Sequence, residues 1–355
     1  MRMGRTSLAT LAGLLAVGVL AAASGCDGSR GSDDVLVIYS AGPRSLAEAV
    51  VESFTEEHGI RVELFAATTG QVMARLEAER YRPRADVVVL ASRVAAEALR
   101  EADRLLAYPD PTWLETTRTE WHDPEGYFHS TSAALVGMAF RGLGDSAQAD
   151  PDWNEVFAGD DHGRLTLPAP SRSGAAGDFV VAYTLREGEP AWDRYRTARR
   201  TGLEISAANS QAIGGLLIGA YDGIVGAVDY LIFAQIAGGA ELRVHYPASG
   251  SALVERPVAI LRTTPVPELA RQFVDHYFGE RAQEAVAAVH LLPARADVPV
   301  SEVRAAAVHA GSGPDSASLP PLIAVDYTEA LREQTRTLGR FQLEIERAEV
   351  VRRDR

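Results

Sequence analysis

Residues 35–39 read VLVIY, residues 61–65 read RVELF and residues 85–90 read ADVVVL, three short apolar runs of which the first and third are rich in β-branched side chains. Such runs predict buried strands. Two capping boxes, SLAE at 45–48 and TTGQ at 68–71, predict helices after the first two strands, and a third helix is predicted after Ser92. Strands and helices that alternate in this way predict an α/β fold with a parallel sheet.

A second set of strands and helices follows a long connection. Residues 133–140 (AALVGMAF) predict a strand, and residues 165–167 predict another that leads through PAPSRSGAA (168–176) into a helix. Residues 224–227 predict a short strand that ends at Asp229 and Tyr230, and residues 253–261 return in a strand-like pattern. The sequence therefore predicts two α/β lobes.

Composition excludes several classes of protein. The chain has 355 residues, 46% of them hydrophobic, and all 35 basic residues are arginine. The absence of lysine excludes a P-loop lysine and any Schiff-base lysine. The net charge of −13 argues against binding to nucleic acid through phosphate neutralisation. No cofactor is predicted.

The amino terminus predicts export. Arg2 and Arg5 precede an apolar run at 8–23 that is too short to span a bilayer, as expected for a signal peptide covering residues 1–25. The sequence ASGC at 23–26 resembles a bacterial lipobox, although position 23 is Ala where lipoboxes more often have Leu. This resemblance implies that Cys26, the single cysteine, carries a lipid anchor; the alternative is a soluble secreted protein. Residues 26–34 are then a flexible tether.

The chain resembles the periplasmic solute-binding proteins of ABC importers, in the group that holds ferric-binding, hexose-phosphate-binding and aminoethylphosphonate-binding members. The stretches that carry the resemblance are VIYSA (37–41), FTEEHGIRV (54–62), TGQVMARL (69–76), RADV (84–87), PAPSRSGA (168–175), GAVDY (226–230), YPASG (246–250) and VAI (258–260). These stretches, in this order, span nearly the whole chain after the tether.

This resemblance implies a two-lobed type II periplasmic-binding-protein fold with two crossover strands, at 133–140 and roughly 245–261. Lobe 1 would contain residues 35–134 and 255–355, and lobe 2 residues 135–254. It further implies a non-enzymatic lipoprotein in the cell envelope, facing the periplasm or the exterior, that delivers a solute to an ABC permease in the membrane. We expect a monomer.

Ligands of open α/β sheets bind outside the carboxyl ends of the strands, where helix amino termini favour anions. Hydroxyl-bearing and small residues follow the predicted strands of both lobes, and Arg172 adds a positive charge. The sequence therefore predicts a small anionic solute, bearing phosphate or phosphonate. The candidate ligand-binding residues are Ser40, Ala41, Thr68, Thr69, Gly70, Ser92, Ser171, Arg172, Ser173, Gly174, Ala175, Asp229 and Tyr230. Because TTGQ is itself a capping box, Thr68 ranks below Ser171, Ser173 and Gly174.

Other functions stay open at this stage. Ferric members of the family bind iron with a His, a Glu and two adjacent tyrosines. In this chain the first loop has no His, the Glu position is Gln71, and the tyrosine pair is replaced by Asp229 and Tyr230. An iron site rearranged around Asp229 and Tyr230 is the first alternative, and a molybdate-type binder is another. A secreted hydrolase using Ser173 or Ser146, and a sensor lipoprotein that signals to a kinase, are the remaining alternatives.

Overall fold

The computed structural model describes residues 35–142, 151–159, 162–311 and 319–348. The predicted signal peptide, the tether and Cys26 lie outside the described residues, as does Ser146. Within the described residues, no helix has the length and apolar character needed to cross a membrane.

Eleven strands form one mixed sheet. The strands are β1 (Val35–Ser40), β2 (Arg61–Ala66), β3 (Val87–Val89), β4 (Leu105–Leu106), β5 (His129–Arg141), β6 (Leu165–Pro168), β7 (Glu204–Ser206), β8 (Gly223–Val228), β9 (Leu242–His245), β10 (Ala252–Leu261) and β11 (Leu292–Pro293).

Helices cover both faces of the sheet. They are α1 (Arg44–His58), α2 (Thr69–Ala78), α3 (Arg93–Glu101), α4 (Trp153–Ala158), α5 (Gly174–Glu187), α6 (Glu189–Thr201), α7 (Asn209–Leu217), α8 (Asp229–Ala237), α9 (Pro267–Tyr277), α10 (Glu280–Ala288), α11 (Glu302–Gly311) and α12 (Tyr327–Phe341). Two 3₁₀ turns precede β5, and a π-helical turn (Gln342–Glu346) extends α12.

The sheet consists of two parallel halves joined by two antiparallel strands. Its main path runs β2-β1-β3-β10-β5-β8-β6-β7. Strands β1, β2 and β3 are mutually parallel, and so are β6, β7 and β8. Between them β10 and β5 pair antiparallel with each other and with their outer neighbours. All of β5 except Arg141 is buried, because helices cover both faces of this central strand.

The carboxyl ends of the two parallel halves point toward the same part of β10. The N–H of Leu90, just after β3, donates to the carbonyl of Pro257. In the other half, the last residue of β8, Val228, pairs with Val136, which in turn pairs with Ala252. The segment of β10 from 252 to 257 therefore lies between the two sets of strand ends.

The α/β fold class with two crossover strands is confirmed, with β5 and β10 as the crossovers. The expected second crossover at 245–261 is interrupted, because His245 ends β9 and β10 begins only at Ala252. The predicted capping box at 45–48 is wrong: α1 already begins at Arg44, after Pro43, and no side chain caps it. The lobe boundaries stay a prediction, and α12 packs against both α3 and α5.

Candidate functional site

The first edge of the site is formed by the loops after β1, β2 and β3. Thr68 caps α2 and closes a capping box with Gln71, so its hydroxyl serves the helix, as the sequence ranking predicts. The hydroxyl of Ser40 accepts from the N–H of Gly42 (3.3 Å), and that of Thr69 accepts from the N–H of Ala91 (3.2 Å). Gly70 is exposed, with open space where a side chain would stand. Hydrogen bonds within the loops therefore hold this edge in place, and the backbone is accessible at Gly70.

The second edge begins at the start of α5. Ser173 caps this helix by accepting from the N–H of Ala176 (3.2 Å), and its hydroxyl donates to Oδ1 of Asn209 (3.2 Å). Ala175 is buried, whereas Gly174 is exposed. Asn209 opens α7, so two helix starts meet at this hydrogen bond. Sequence reasoning missed Asn209, because nothing in its local pattern links it to a loop 36 residues earlier.

Ser171 and Arg172 precede that helix start and differ in what they contact. The N–H and hydroxyl of Ser171 both donate to the carboxylate of Glu346, at 3.0 and 2.7 Å. A carboxylate of the chain itself thus occupies the donors that Ser171 would offer to an anion. Arg172 is exposed, and its guanidinium forms no hydrogen bond or ion pair with the residues that the structure describes.

The two edges touch each other. Ser92 caps α3 on the first edge, and its hydroxyl donates to Oδ1 of Asp178 in α5 on the second edge (3.1 Å). A Cβ added at Gly174 would lie 3.8 Å from the carbonyl oxygen of Ala91. The candidate residues on the β3 and β6 loops are therefore brought together, and a larger side chain at Gly174 would intrude on this contact.

Arg256 lies between the two sets of strand ends, where the pairing of β10 with β5 shifts register from Glu255 to Pro257. Its residue surface is 5% exposed, its Nε has no hydrogen-bond partner, and its guanidinium forms no ion pair with any described residue. The guanidinium instead lies over the ring of Tyr230, 5.1 Å from the centroid. A buried cation without an anion is costly, so this position suits a negatively charged ligand.

Asp229 and Tyr230 are adjacent but have different roles. Asp229 is fully buried and forms an ion pair with Arg304 of α11 (2.8 Å), and the hydroxyl of Tyr246 donates to the same carboxylate oxygen (2.9 Å). Its other oxygen accepts from the N–H of Tyr230 (2.6 Å). The carboxylate is thus saturated by the protein, whereas the half-buried Tyr230 remains beside Arg256.

A pocket lined by Glu255 lies between α3, α5, α12 and β10. Arg93 pairs with Glu255 (3.1 Å), and Ser130 (2.8 Å) and Tyr327 (3.1 Å) donate to the same carboxylate. The pocket is small, since the centre of a water molecule fits in only about 20 Å³ of it. In this conformation it admits about one water molecule and no larger solute.

Asp178 lines the same pocket, and burial raises its pKa to about 7. The hydrogen bond from Ser92 lowers the pKa of Asp178, whereas the negative charge of Glu255 raises it further. An acid whose pKa is higher in the folded than in the unfolded state stabilises the fold at low pH. That stabilisation is lost as the pH rises from about 4 to about 7. We therefore expect Asp178 to weaken the folded state progressively across this range.

The Asp178→Asn variant tests this expectation, since asparagine keeps an acceptor for Ser92 but cannot ionise. Between about pH 5 and about pH 8, the wild-type free energy of unfolding should fall relative to the variant by as much as about 3 kcal/mol. Urea denaturation of both proteins at the two pH values measures the difference. Parallel pH profiles would contradict the assignment.

Comparison with known proteins agrees with this architecture. The family model for bacterial extracellular solute-binding proteins matches residues 35–289. An uncharacterized protein of Haemophilus influenzae is 23% identical over 298 residues, which cover 80% of this chain and 83% of that protein.

Two solved structures have the same fold. Iron-bound HitA from Pseudomonas aeruginosa has a TM-score of 0.71 at 20% identity, covering 85% of this chain and 99% of its own. AfuA from Actinobacillus pleuropneumoniae, with fructose-6-phosphate bound, has a TM-score of 0.74 at 20% identity, covering 88% of this chain and 99% of its own. The match of the family model to most of the chain, together with the shared type II fold, leads to one conclusion: the chain belongs to the bacterial extracellular solute-binding proteins, the type that serves ABC importers.

Proposed function

We propose that this protein captures a small anionic solute, bearing phosphate or phosphonate, between the two strand-end edges and delivers it to an ABC permease. The observation that carries the proposal is Arg256, a buried cation without an anionic partner among the described residues. Its place on the strand between the two edges suits a residue that binds the charged group of the solute.

The start of α5 supports the same ligand class. Unpaired N–H groups and the helix dipole favour an anion at a helix amino terminus. Ser173, Gly174 and Ala175 keep this end small, and Asn209 adds an amide side chain beside Ser173. Arg172 is exposed next to them and is free to supply a second guanidinium, which binds phosphate oxygens in pairs.

The comparisons support this ligand class without separating it from iron. AfuA has fructose-6-phosphate bound, whereas HitA has iron bound, and both have the fold of this chain. Iron fits the observed geometry less well, because Asp229 is saturated by Arg304 and Tyr246 and because Arg256 places a positive charge over Tyr230. Among the described residues, the one cluster suited to a metal ion, Glu57 with His58 and His276, lies on α1 and α9.

A hydrolase fits the site poorly as well. The Ser173 hydroxyl donates to the amide oxygen of Asn209 and accepts from the N–H of Ala176, and neither group is a base that could take its proton. We therefore propose a binding protein rather than an enzyme. The lipid anchor at Cys26 and the monomeric state stay predictions.

A ligand panel tests the proposed function. Native mass spectrometry of the purified full-length protein would first detect any retained solute. Thermal shifts would then be measured with inorganic phosphate, hexose phosphates, aminoethylphosphonate, molybdate and ferric citrate. We expect at least one phosphate or phosphonate to raise the melting temperature, since a ligand that binds only the folded state stabilises it. Stabilisation by ferric ion alone, or by none of these solutes, would overturn the proposal.

A further inference from the structure

The carboxyl-terminal ends of α1 and α9 converge at a cluster that the solute site does not use. Glu57 and His58 are the last two residues of α1, and His276 is the penultimate residue of α9. One ligand atom from each side chain lies within 4.8 Å of the others. Since α1 begins at the strand-end edge and is about 22 Å long, this cluster lies far from the proposed solute site.

The distances within the cluster resemble those of a metal site. One Glu57 oxygen is 3.2 Å from Nδ1 of His276, and the other is 3.8 Å from Nε2 of His58. Two ligands of a tetrahedral Zn²⁺ with bonds of about 2.05 Å are about 3.3 Å apart. The Glu57 side chain is exposed, so it can move to bring one of its oxygens to a shared ion.

The surrounding hydrogen bonds orient both imidazoles. The Ser53 hydroxyl donates to the carbonyl of Val50 (3.0 Å), which leaves its oxygen to accept a hydrogen bond from Nε2–H of His276 (2.8 Å). This leaves Nδ1 of His276 with a free lone pair directed at Glu57. Nε2 of Gln272 lies 2.9 Å from Nδ1 of His58 and donates to it, which fixes the orientation of the ring. A metal ion at Nε2 of His58 requires the Gln272 amide to rotate by 180°, so that its oxygen accepts from Nδ1–H. Such outer contacts fix histidine ligands in metal sites.

Electrostatics also favour a cation here. Two helix carboxyl ends meet, and each carries a partial negative charge. The nearby Arg281 is paired with Glu56 (2.7 Å).

We propose that Glu57, His58 and His276 bind a divalent transition-metal ion of the Zn²⁺ class, with solvent as the fourth ligand. His276 is buried, His58 is half-buried and Glu57 is exposed, so the ion would be held at the surface with one side open to water. Imidazole and carboxylate ligands suit Zn²⁺ and its first-row neighbours. The ion would link α1 to α9 and would thereby stabilise the fold.

The test uses Zn²⁺ titration calorimetry and thermal shifts on full-length protein purified without a polyhistidine tag. We expect binding of one Zn²⁺ by the wild type, and an affinity at least about tenfold lower in Glu57→Gln and in His58→Asn. Glu52→Gln, which makes the same charge change at an exposed residue of the same helix, is the matched control and should bind normally. Co²⁺ should give the intense visible absorption of a tetrahedral complex, which His58→Asn abolishes.

Lack of Zn²⁺ binding by the wild type would overturn the proposal, as would an equal loss of affinity in Glu52→Gln and Glu57→Gln. A folded Glu57→Gln variant is expected, since Glu57 is exposed, and its melting temperature without metal should match that of the wild type. Solute binding should be unchanged in all three variants, so this test and the test of the solute site are independent.

Discussion

An Arg256→Met variant is expected to bind the phosphate or phosphonate that stabilises the wild type about 30-fold to about 5,000-fold more weakly. Removing one partner of a buried, hydrogen-bonded charge pair costs about 2–5 kcal/mol of binding free energy. The free protein should be as stable as the wild type or more stable, because Arg256 is buried without an anion among the described residues. Methionine also retains much of the apolar contact with Tyr230.

Affinity is measured by calorimetry with the solute identified from the ligand panel, and stability by urea denaturation without ligand. Arg80→Met is the matched control, since it removes the same charge from an exposed position just after the carboxyl end of α2, away from the strand-end edges. A stable Arg256→Met variant with unchanged affinity would exclude Arg256 from the site. Lower stability with unchanged affinity would make Arg256 a structural residue.

The charge of the chain explains why one buried arginine matters so much. With the predicted signal peptide, residues 1–25, removed, the chain would have 33 arginines against 48 acids, a net charge of −15. Such a surface does not attract an anion from a distance. Other buried arginines form ion pairs with carboxylates, as Arg93 does with Glu255 and Arg304 with Asp229. On the proposed function, capture would therefore depend on groups between the two strand-end edges, and Arg256 is a buried cation there.

The fold could be predicted from local patterns because its parallel strands are short apolar runs followed by recognisable helix starts. The helices that begin after Thr68, Ser92 and Ser173 are confirmed, since each of these residues caps its helix. The capping box at 45–48 failed because Pro43 already allows the helix to begin at Arg44. A capping pattern can therefore also occur inside a first turn, where the hydroxyl is not used as a cap.

The candidate site was only partly predictable, because partners distant in sequence decide which polar groups are free. Sequence reasoning favoured Ser171, but Glu346 occupies its donors from a segment 175 residues later. It singled out Arg172 and missed Arg256. The signal for Arg256 was a charged pair, Glu255 and Arg256, inside the otherwise apolar strand ALVERPVAIL. The sequence does not show which of the 35 arginines are buried without an anionic partner, because that depends on contacts in three dimensions.

Removal of the Asp229 carboxylate is expected to destabilise the protein more than any other single change considered above. In Asp229→Ala, Arg304 would remain 1% exposed with its charge unpaired, and the Tyr246 hydroxyl would lose its acceptor. Breaking a buried ion pair in this way costs about 3–5 kcal/mol of unfolding free energy. By contrast, Glu48→Ala breaks the exposed pair with Arg44 and should cost less than about 1 kcal/mol.

The double variant Asp229→Leu/Arg304→Met separates the cost of an unpaired charge from the value of the pair. Apolar residues of similar volume often replace a buried pair at little or no cost, so the double variant should regain most of the stability that Asp229→Ala loses. Urea denaturation of Asp229→Leu, of Arg304→Met and of the double variant gives the coupling energy. If Asp229→Ala were instead as stable as the wild type but lost the binding of ferric ion, Asp229 would be a metal ligand. The rearranged iron site would then replace the anion site, because a carboxylate used to bind iron would not be needed to neutralise Arg304.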